Sequence, residues 1–411
     1  MKNHLLFAFC VLLALSTSAQ TYTSYFTGST ADVSTTTQGG TVLMGGATED
    51  DNAMIWFLQR AGGGDVVVLR ATGSDGYNTY LYTDLGVTVN SVETIVVASA
   101  AAANNPYVSN QIRNAEALWI AGGDQYDYVS IWKNSPMKDA INYLINEKNV
   151  TIGGTSAGMA IMGDAYFSAQ NGSVTSAEAL ANPYNTYMTI GYHDFLNNPY
   201  LQNTITDTHY DNPDRKGRHT AFLAKMMTDL NINPRGIASE EYTAVCIDED
   251  GIARVFGDYP NNDDAAYFLQ TNCTQPNTPE TCQNATPLTW NRNQQALKVC
   301  KIAGTPDGSN FFDLNDWTSN SGGAWKHWYV QNGIFTTTTG TAPTNVALNI
   351  SGNTTSCSGG VYTYTIDNPT AGATYTWTVG SNGTIVSGQG TPTTQIQWTN
   401  GTVGIVSVTQ N

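Results

Sequence analysis

The chain has 411 residues and a formal net charge of −16, with 12% charged and 41% hydrophobic residues. That length allows two or three domains, and the acidic balance argues against nucleic acid or an anionic membrane as the main partner. A cationic substrate is mildly favoured, although acidity also serves solubility alone.

Residues 1–19 carry a lysine near the start, an apolar run from Leu5 to Leu15, and small residues at Thr17 and Ala19. This pattern predicts a secretory signal peptide, too short for a membrane span, and hence an exported chain without membrane insertion. Cys10 lies inside the apolar run behind Phe9, which is not a lipidation context. An exported protein can keep disulfides. Cys273 and Cys282 are the easiest pair to close, Cys246 and Cys300 could bridge or sit as buried thiols, and Cys357 is left over.

From about Thr21 to Phe335 short apolar runs alternate with helical stretches. Thr41–Met44, Asp65–Leu69, Thr94–Ala98 and Ala117–Ala121 read as strands buried on both faces. Asp50–Arg60, Val108–Glu116, Gln125–Trp132 and Met137–Glu147 read as helices. The alternation predicts an α/β fold with a doubly wound, mostly parallel sheet and sites at the C-terminal strand ends. Gly45-Gly46-Ala47-Thr48-Glu49-Asp50 lacks a third glycine and is acidic where a phosphate would lie, so nucleotide binding is rejected.

The next strand leads into Gly153-Gly154-Thr155-Ser156-Ala157-Gly158. A serine flanked by glycines two residues either side, between an apolar strand and small helix formers, is the sequence form of a nucleophile elbow. Such a turn exposes Ser156 Oγ and offers the Ala157 N–H to a developing oxyanion. The same pattern also serves a plain tight turn between strand and helix.

A serine nucleophile needs a base. His209 ends the strand-like run Thr204–His209, where catalytic groups collect in an open α/β sheet. His193 lies in a polar loop, His219 on a following helix, and His327 in a tryptophan-rich stretch. Position therefore favours His209 over His193. The carboxylate that orients the imidazole is sought in Ser239-Glu240-Glu241, where Glu240 and Glu241 stand on equal terms.

Past Phe335 the composition changes. Residues 336–343 are threonine-rich and read as a linker. Val361–Ile366, Thr374–Val379 and Thr394–Trp398 then alternate with period two between Gly/Asn turns, a β-sandwich pattern over 344–411. A further strand-like run, Thr402–Thr409, stands at the chain end. The module is expected to be incomplete, with a partner for Cys357 downstream.

Taken in order, Gly122-Gly123-Asp124-Gln125, Gly153–Gly158, Asp207-Thr208-His209 followed by Arg215-x-Gly217-Arg218, and Glu241-x-Thr243-Ala244 resemble the cyanophycinases and related S51 serine peptidases. Gly45–Asp50 and Ala61-Gly62-Gly63 are similar as well. The resemblance covers about residues 40–315, and the tail resembles PKD-like modules of secreted bacterial proteins.

The resemblance implies a class I glutamine amidotransferase-like elbow and a triad of Ser156 as nucleophile, His209 as general base and Glu241 as its orienter. It places the oxyanion hole at the backbone of Gly123 and Ala157, and substrate contacts at Gln125, Asp207, Thr208, Arg215 and Arg218. No metal or other cofactor is required. The partner would be a peptide or the cyanophycin polymer, a poly-aspartate backbone with arginine on each β-carboxyl, released as β-Asp-Arg by exopeptidase action. A homodimer is left open. Thr208, Tyr210 and Pro213 depart from the glutamine, phenylalanine and arginine of the family pattern, so hydrolysis is better supported than this substrate. The runner-up is an S51 peptidase acting on isoaspartyl or Asp-X peptides. Two rivals of other classes are a metalloenzyme built on His193, Asp194, His209, Asp211 or His219, and a non-catalytic polymer-binding or adhesive protein. Residues 259–295 read as an insertion of unassigned role.

Overall fold

The computed structural model describes residues 20–272, 274, 276–343, 349–367, 369, 373–399 and 404–410. The expected signal peptide, Cys10 and Cys273 fall outside the described residues. The chain divides into two units, Met1–Thr341 and Ala342–Asn411.

The first unit is mixed α/β. Five strands of its ten-stranded sheet form a parallel core in the spatial order Ser91–Val96, Asp65–Arg70, Ala117–Ile120, Thr151–Thr155, Gly40–Met44. Antiparallel strands Thr23–Gly28 and Ala244–Asp248 flank it on the two sides. Successive residues of a strand face opposite sides of a sheet. Val66 and Val68 accordingly pack with Met54, Phe57 and Leu58 of helix Asp51–Gln59. Val67 and Leu69 pack with Ile112, Trp132 and Ile141, from the helices Pro106–Asn114, Gln125–Trp132 and Pro136–Tyr143. Apolar residues on both faces explain why these strands read as unbroken hydrophobic runs.

The sequence marks Thr204–His209 as strand-like but not the second, eight-stranded sheet to which that strand belongs. Its order is Ile334–Thr339, Gly323–Gln331, Leu297–Ala303, Ala265–Thr271, Arg235–Ser239, Thr204–Asp207, Ala165–Phe167, Ile190–Tyr192. One face of it, with Ile237, Phe268 and Ile302, joins the core of the first sheet. The other, with Ala238, Leu269 and Val299, covers Phe222, Leu223 and Met226 of helix Lys216–Leu230. Two expectations are corrected here. Residues 336–339 of the threonine run are part of the last strand of this sheet, paired with Gly323–Gln331, and not linker. Within the supposed insertion, Ala265–Thr271 is a buried strand bonded on both sides.

Of the two readings left open for Cys246 and Cys300, a bridge or buried thiols, the structure has the second. Both are buried free thiols on strands of different sheets, and Cys282 and Cys357 are free as well. In the second unit a four-stranded sheet and the pair Tyr375–Val379 with Val406–Gln410 enclose a small core of Tyr364, Tyr375, Trp377, Ile396 and Trp398. Among the described residues no helix is long and apolar enough to cross a membrane.

Candidate active site

Ser156 follows the strand Thr151–Thr155 directly and starts the short helix Ala157–Ala160, with φ 52° and ψ −114°. A non-glycine residue held in such a conformation stores backbone strain of about 1–3 kcal/mol, which the surroundings must enforce. The enforcement is visible. A Cβ on Gly154 would sit 2.7 Å from the Gly158 carbonyl carbon, and one on Gly158 only 2.1 Å from the Ile120 oxygen. The two glycines are therefore required by close backbone approach around the serine.

His209 leaves the second sheet just after Thr204–Asp207, also with positive φ, 45°. Its Nε2 lies 2.8 Å from Ser156 Oγ and its Nδ1 2.6 Å from Glu241 Oε1. An ionised Glu241 accepts from Nδ1–H, which fixes the tautomer that leaves the Nε2 lone pair facing the serine hydroxyl. The hydrogen bond from His209, with help from Asn212 Nδ2 at 3.3 Å from Oε2, holds the Glu241 carboxyl below its ordinary pKa. Of the two glutamates left open by the sequence, Glu241 reaches the histidine. Glu240 is buried, accepts from Tyr267 at 2.8 Å, and has its pKa raised by that burial.

The strand end Met44–Gly46 ties together the backbones of Ser156, His209 and Tyr242, the residue after Glu241, which sequence reasoning missed. Met44 O accepts from Ser156 N at 3.1 Å, Gly45 O from His209 N at 2.8 Å, and Gly46 O from Tyr242 N at 3.1 Å. A Cβ on Gly46, whose φ is +124°, would lie 2.4 Å from the His209 ring. The paired glycines that matched no nucleotide loop were the available signal.

The Gly122–Gly123 turn lies beside the serine: a Cβ on Gly122 would come 3.5 Å from Ser156 Cβ. Tyr128 Oη pins this turn by donating to Ala121 O and Gly122 O, at 2.9 and 3.0 Å. Ala157 occupies the first helical position, where the N–H has no intrahelical acceptor. Gln125 opens its helix and donates from Nε2 to Phe167 O at 3.4 Å.

The remaining expected substrate contacts are placed differently. Asp207 and Arg218 are both buried and form a bidentate ion pair with each other. Burial alone would raise the Asp207 pKa, but the Arg218 guanidinium holds it below the ordinary value. This pair faces the interior, so a direct grip on substrate by either residue is corrected to an internal one. Thr208 is buried too, and its carbonyl accepts from Arg215 at 2.9 Å. Arg215 is partly exposed, and burial with the nearby Arg218 lowers its pKa to about 10.

The other histidines lie elsewhere. His193 Nδ1 pairs with Asp164 at 2.5 Å, and Asp194 binds Lys133 and Tyr166. His219 is fully buried against Tyr210 Oη at 3.1 Å, with burial lowering its pKa to about 4. These partners disperse the residues a metal centre would need. Among the described residues no group of three or more His, Cys, Asp or Glu is arranged to hold a metal ion.

A cleft of about 790 Å³ includes Glu241 and its neighbour Tyr242 in its lining. Nine carboxylates line it and no basic side chain does. Burial raises the pKa of Glu49, Asp50, Glu240 and Asp264, and neighbouring carboxylates add to each shift.

Residues 74–255 match the model of peptidase family S51, and residues 342–411 match that of a PKD-like domain. A cyanophycinase of Synechococcus elongatus is 25% identical over 208 residues, covering 49% of this chain and 59% of that protein. A cyanophycinase of Nostoc sp. is 24% identical over 166 residues, 40% of this chain and 50% of that one. The chain thus spans about half the length of the curated relatives it matches. A crystal structure of a peptidase from an acI-B1 Actinobacterium superposes with a TM-score of 0.41 at 15% identity, covering 56% of this chain and 91% of that one. On its sequence matches this chain is similar to peptidase family S51 over residues 74–255 and to PKD-like domains over residues 342–411.

Proposed function

We propose that the chain is a serine peptidase in which Ser156, His209 and Glu241 act as nucleophile, general base and orienter. The carrying observation is the continuous hydrogen-bonded line from Ser156 Oγ through His209 to Glu241, assembled from three separate loops. His209 Nε2 takes the Oγ proton as Oγ attacks the substrate carbonyl. The oxyanion is received by the N–H groups of Gly123 and Ala157. Glu241 stabilises the imidazolium, which then protonates the leaving amine, and water releases the acyl group by the same steps in reverse.

For substrate we propose cyanophycin, cleaved to β-Asp-Arg dipeptides by a protein exported through a signal peptide at residues 1–19. The similarity to cyanophycinases supports this reading, and so does the cleft lined by nine carboxylates, Glu241 among them. That cleft favours guanidinium-bearing chains and repels acidic peptides. Thr208 and Pro213 leave isoaspartyl and Asp-X peptides as the second reading. The test is mass spectrometry of products from cyanophycin, isoaspartyl and Asp-X peptides with the protein and its Ser156→Ala variant. Serine-dependent β-Asp-Arg supports the first reading, and cleavage of the small peptides alone moves the substrate. No serine-dependent product from any of them overturns the peptidase proposal and leaves polymer binding.

A further inference from the structure

The turn that carries His209 also grips the residue that orients it. Asp211 Oδ1 accepts from the Glu241 backbone N–H at 2.9 Å. Asn212 Nδ2 donates to Glu241 Oε2 at 3.3 Å, while Asn212 N closes the turn onto His209 O at 3.2 Å. His209 and Glu241 follow different strands, Thr204–Asp207 and Arg235–Ser239, so nothing local in the chain fixes their mutual geometry. With Oε1 engaged by Nδ1, the second oxygen would be free to swing toward water, because the glutamate has three rotatable torsions and lines the acidic cleft.

We propose that Asn212 is a positioning residue of the triad. Its amide holds Glu241 Oε2 so that Oε1 stays on the His209 Nδ1–H axis, and Asp211 fixes the backbone from which Glu241 reaches. The proposal rests on the serine-peptidase reading for its kinetic consequence, but its geometric content stands apart from that reading. The charged groups facing Glu241 are His209 and Arg215, with the Asp211 carboxylate on its backbone.

The test compares the full chain with Asn212→Ala and the isosteric Asn212→Asp. Cyanophycin hydrolysis is followed from pH 5 to 9, and thermal melting confirms folding. A hydrogen bond to a charged group of this kind corresponds to about a tenfold effect on rate. Asn212→Ala is expected to lower kcat about tenfold with KM within about twofold. Asn212→Asp places a second carboxylate beside Glu241. It is expected to lower kcat further and to move the acid limb of kcat/KM to higher pH, since added negative charge stabilises the imidazolium. Equal losses in both variants with an unmoved acid limb would reduce Asn212 to a turn residue and overturn the proposal. So would kcat within twofold of the parent in both.

A second readout works without turnover. The downfield proton resonance of His209 Nδ1–H, identified by its absence in His209→Gln, should move upfield and broaden in Asn212→Ala. If the parent protein hydrolyses nothing but this resonance responds, the peptidase reading falls while the positioning role stands. An unchanged resonance refutes the role whatever the activity.

Discussion

Replacing Glu241 by glutamine is the sharpest test of the triad, because it preserves shape and removes only charge. His209 Nδ1 and Glu241 Oε1 are 2.6 Å apart, with side chains 23% and 17% exposed. For charge centres about 4 Å apart in an effective dielectric near 20, the imidazolium–carboxylate attraction is about 4 kcal/mol. That attraction exists only once His209 has taken the serine proton, so its loss falls on the transition state, about a thousandfold in rate. A carboxamide can also turn its NH2 toward Nδ1. The ring proton then moves to Nε2, where it faces Ser156 and the base is lost. The corresponding acid-to-amide change in a Ser-His-Asp triad costs about 10⁴ in kcat. Glu241→Gln is therefore expected to lower kcat by 10³ to 10⁴, to leave KM nearly unchanged, and to keep the parent melting temperature. The assay is initial-rate hydrolysis of cyanophycin over pH 5–9, with Ser156→Ala as the floor. A loss smaller than about tenfold would falsify the assignment of Glu241 as orienter.

Gly46→Ala should cut kcat by at least about a hundredfold, since the new methyl would enter the His209 ring at 2.4 Å. Gly86→Ala, also at positive φ but facing open space, should cost only about 1 kcal/mol of stability and no activity; kinetics and melting of both variants decide. Arg218→Met leaves the Asp207 charge buried and unpaired and is expected to cost about 3–5 kcal/mol, with Asp207→Leu added in the same chain recovering much of it in denaturant melts. Stability should also follow pH with two opposite signs. Glu49, Asp50 and Glu240 have folded pKa values above their unfolded ones, so their penalty is present at neutral pH and is relieved as pH falls through those raised values. Asp207 has a depressed folded pKa, so its contribution is complete above its ordinary value of 3.8 and is lost as pH falls below it. Thermal melts from pH 8 to 3 should rise on mild acidification and drop below about pH 4. A monotonic fall from pH 8 refutes the account.

The parallel core was legible because burial on both faces writes itself as continuous apolar runs, and helix Gln125–Trp132 follows its expected limits. Strand Ala265–Thr271 was hidden for the converse reason. It lies among turn-rich residues and pairs with strands about 30 residues away on both sides, so no local period marks it as part of a sheet. At the site, Ser156 could be found because an elbow needs glycines at fixed offsets. Glu240 and Glu241 could not be separated, because their difference is a matter of which side of one backbone bond faces His209 and which faces Tyr267. Asp207 and Arg218 misled in the opposite direction. Charged residues beside His209 suggest a substrate grip, yet here they satisfy one another in the interior.

The two sheets must meet accurately for the site to exist, since Ser156 belongs to one and His209 and Glu241 follow strands of the other. Side-chain packing alone tolerates shifts of a size that would break a 2.8 Å hydrogen bond. The segment Met44–Gly46 removes that freedom, because three consecutive carbonyls accept from the backbones of Ser156, His209 and Tyr242. Each of those three donors has positive φ, at 52°, 45° and 60°, an arrangement that bulky residues adopt only under constraint. Those bonds supply the constraint, and Gly45 and Gly46 permit it by their lack of side chains: a Cβ on Gly45 would fall 1.9 Å from Glu240 O. Strain at the three loops and the absence of side chains at one strand end are therefore two sides of a single device. It holds Ser156, His209 and Glu241 in register before any substrate arrives.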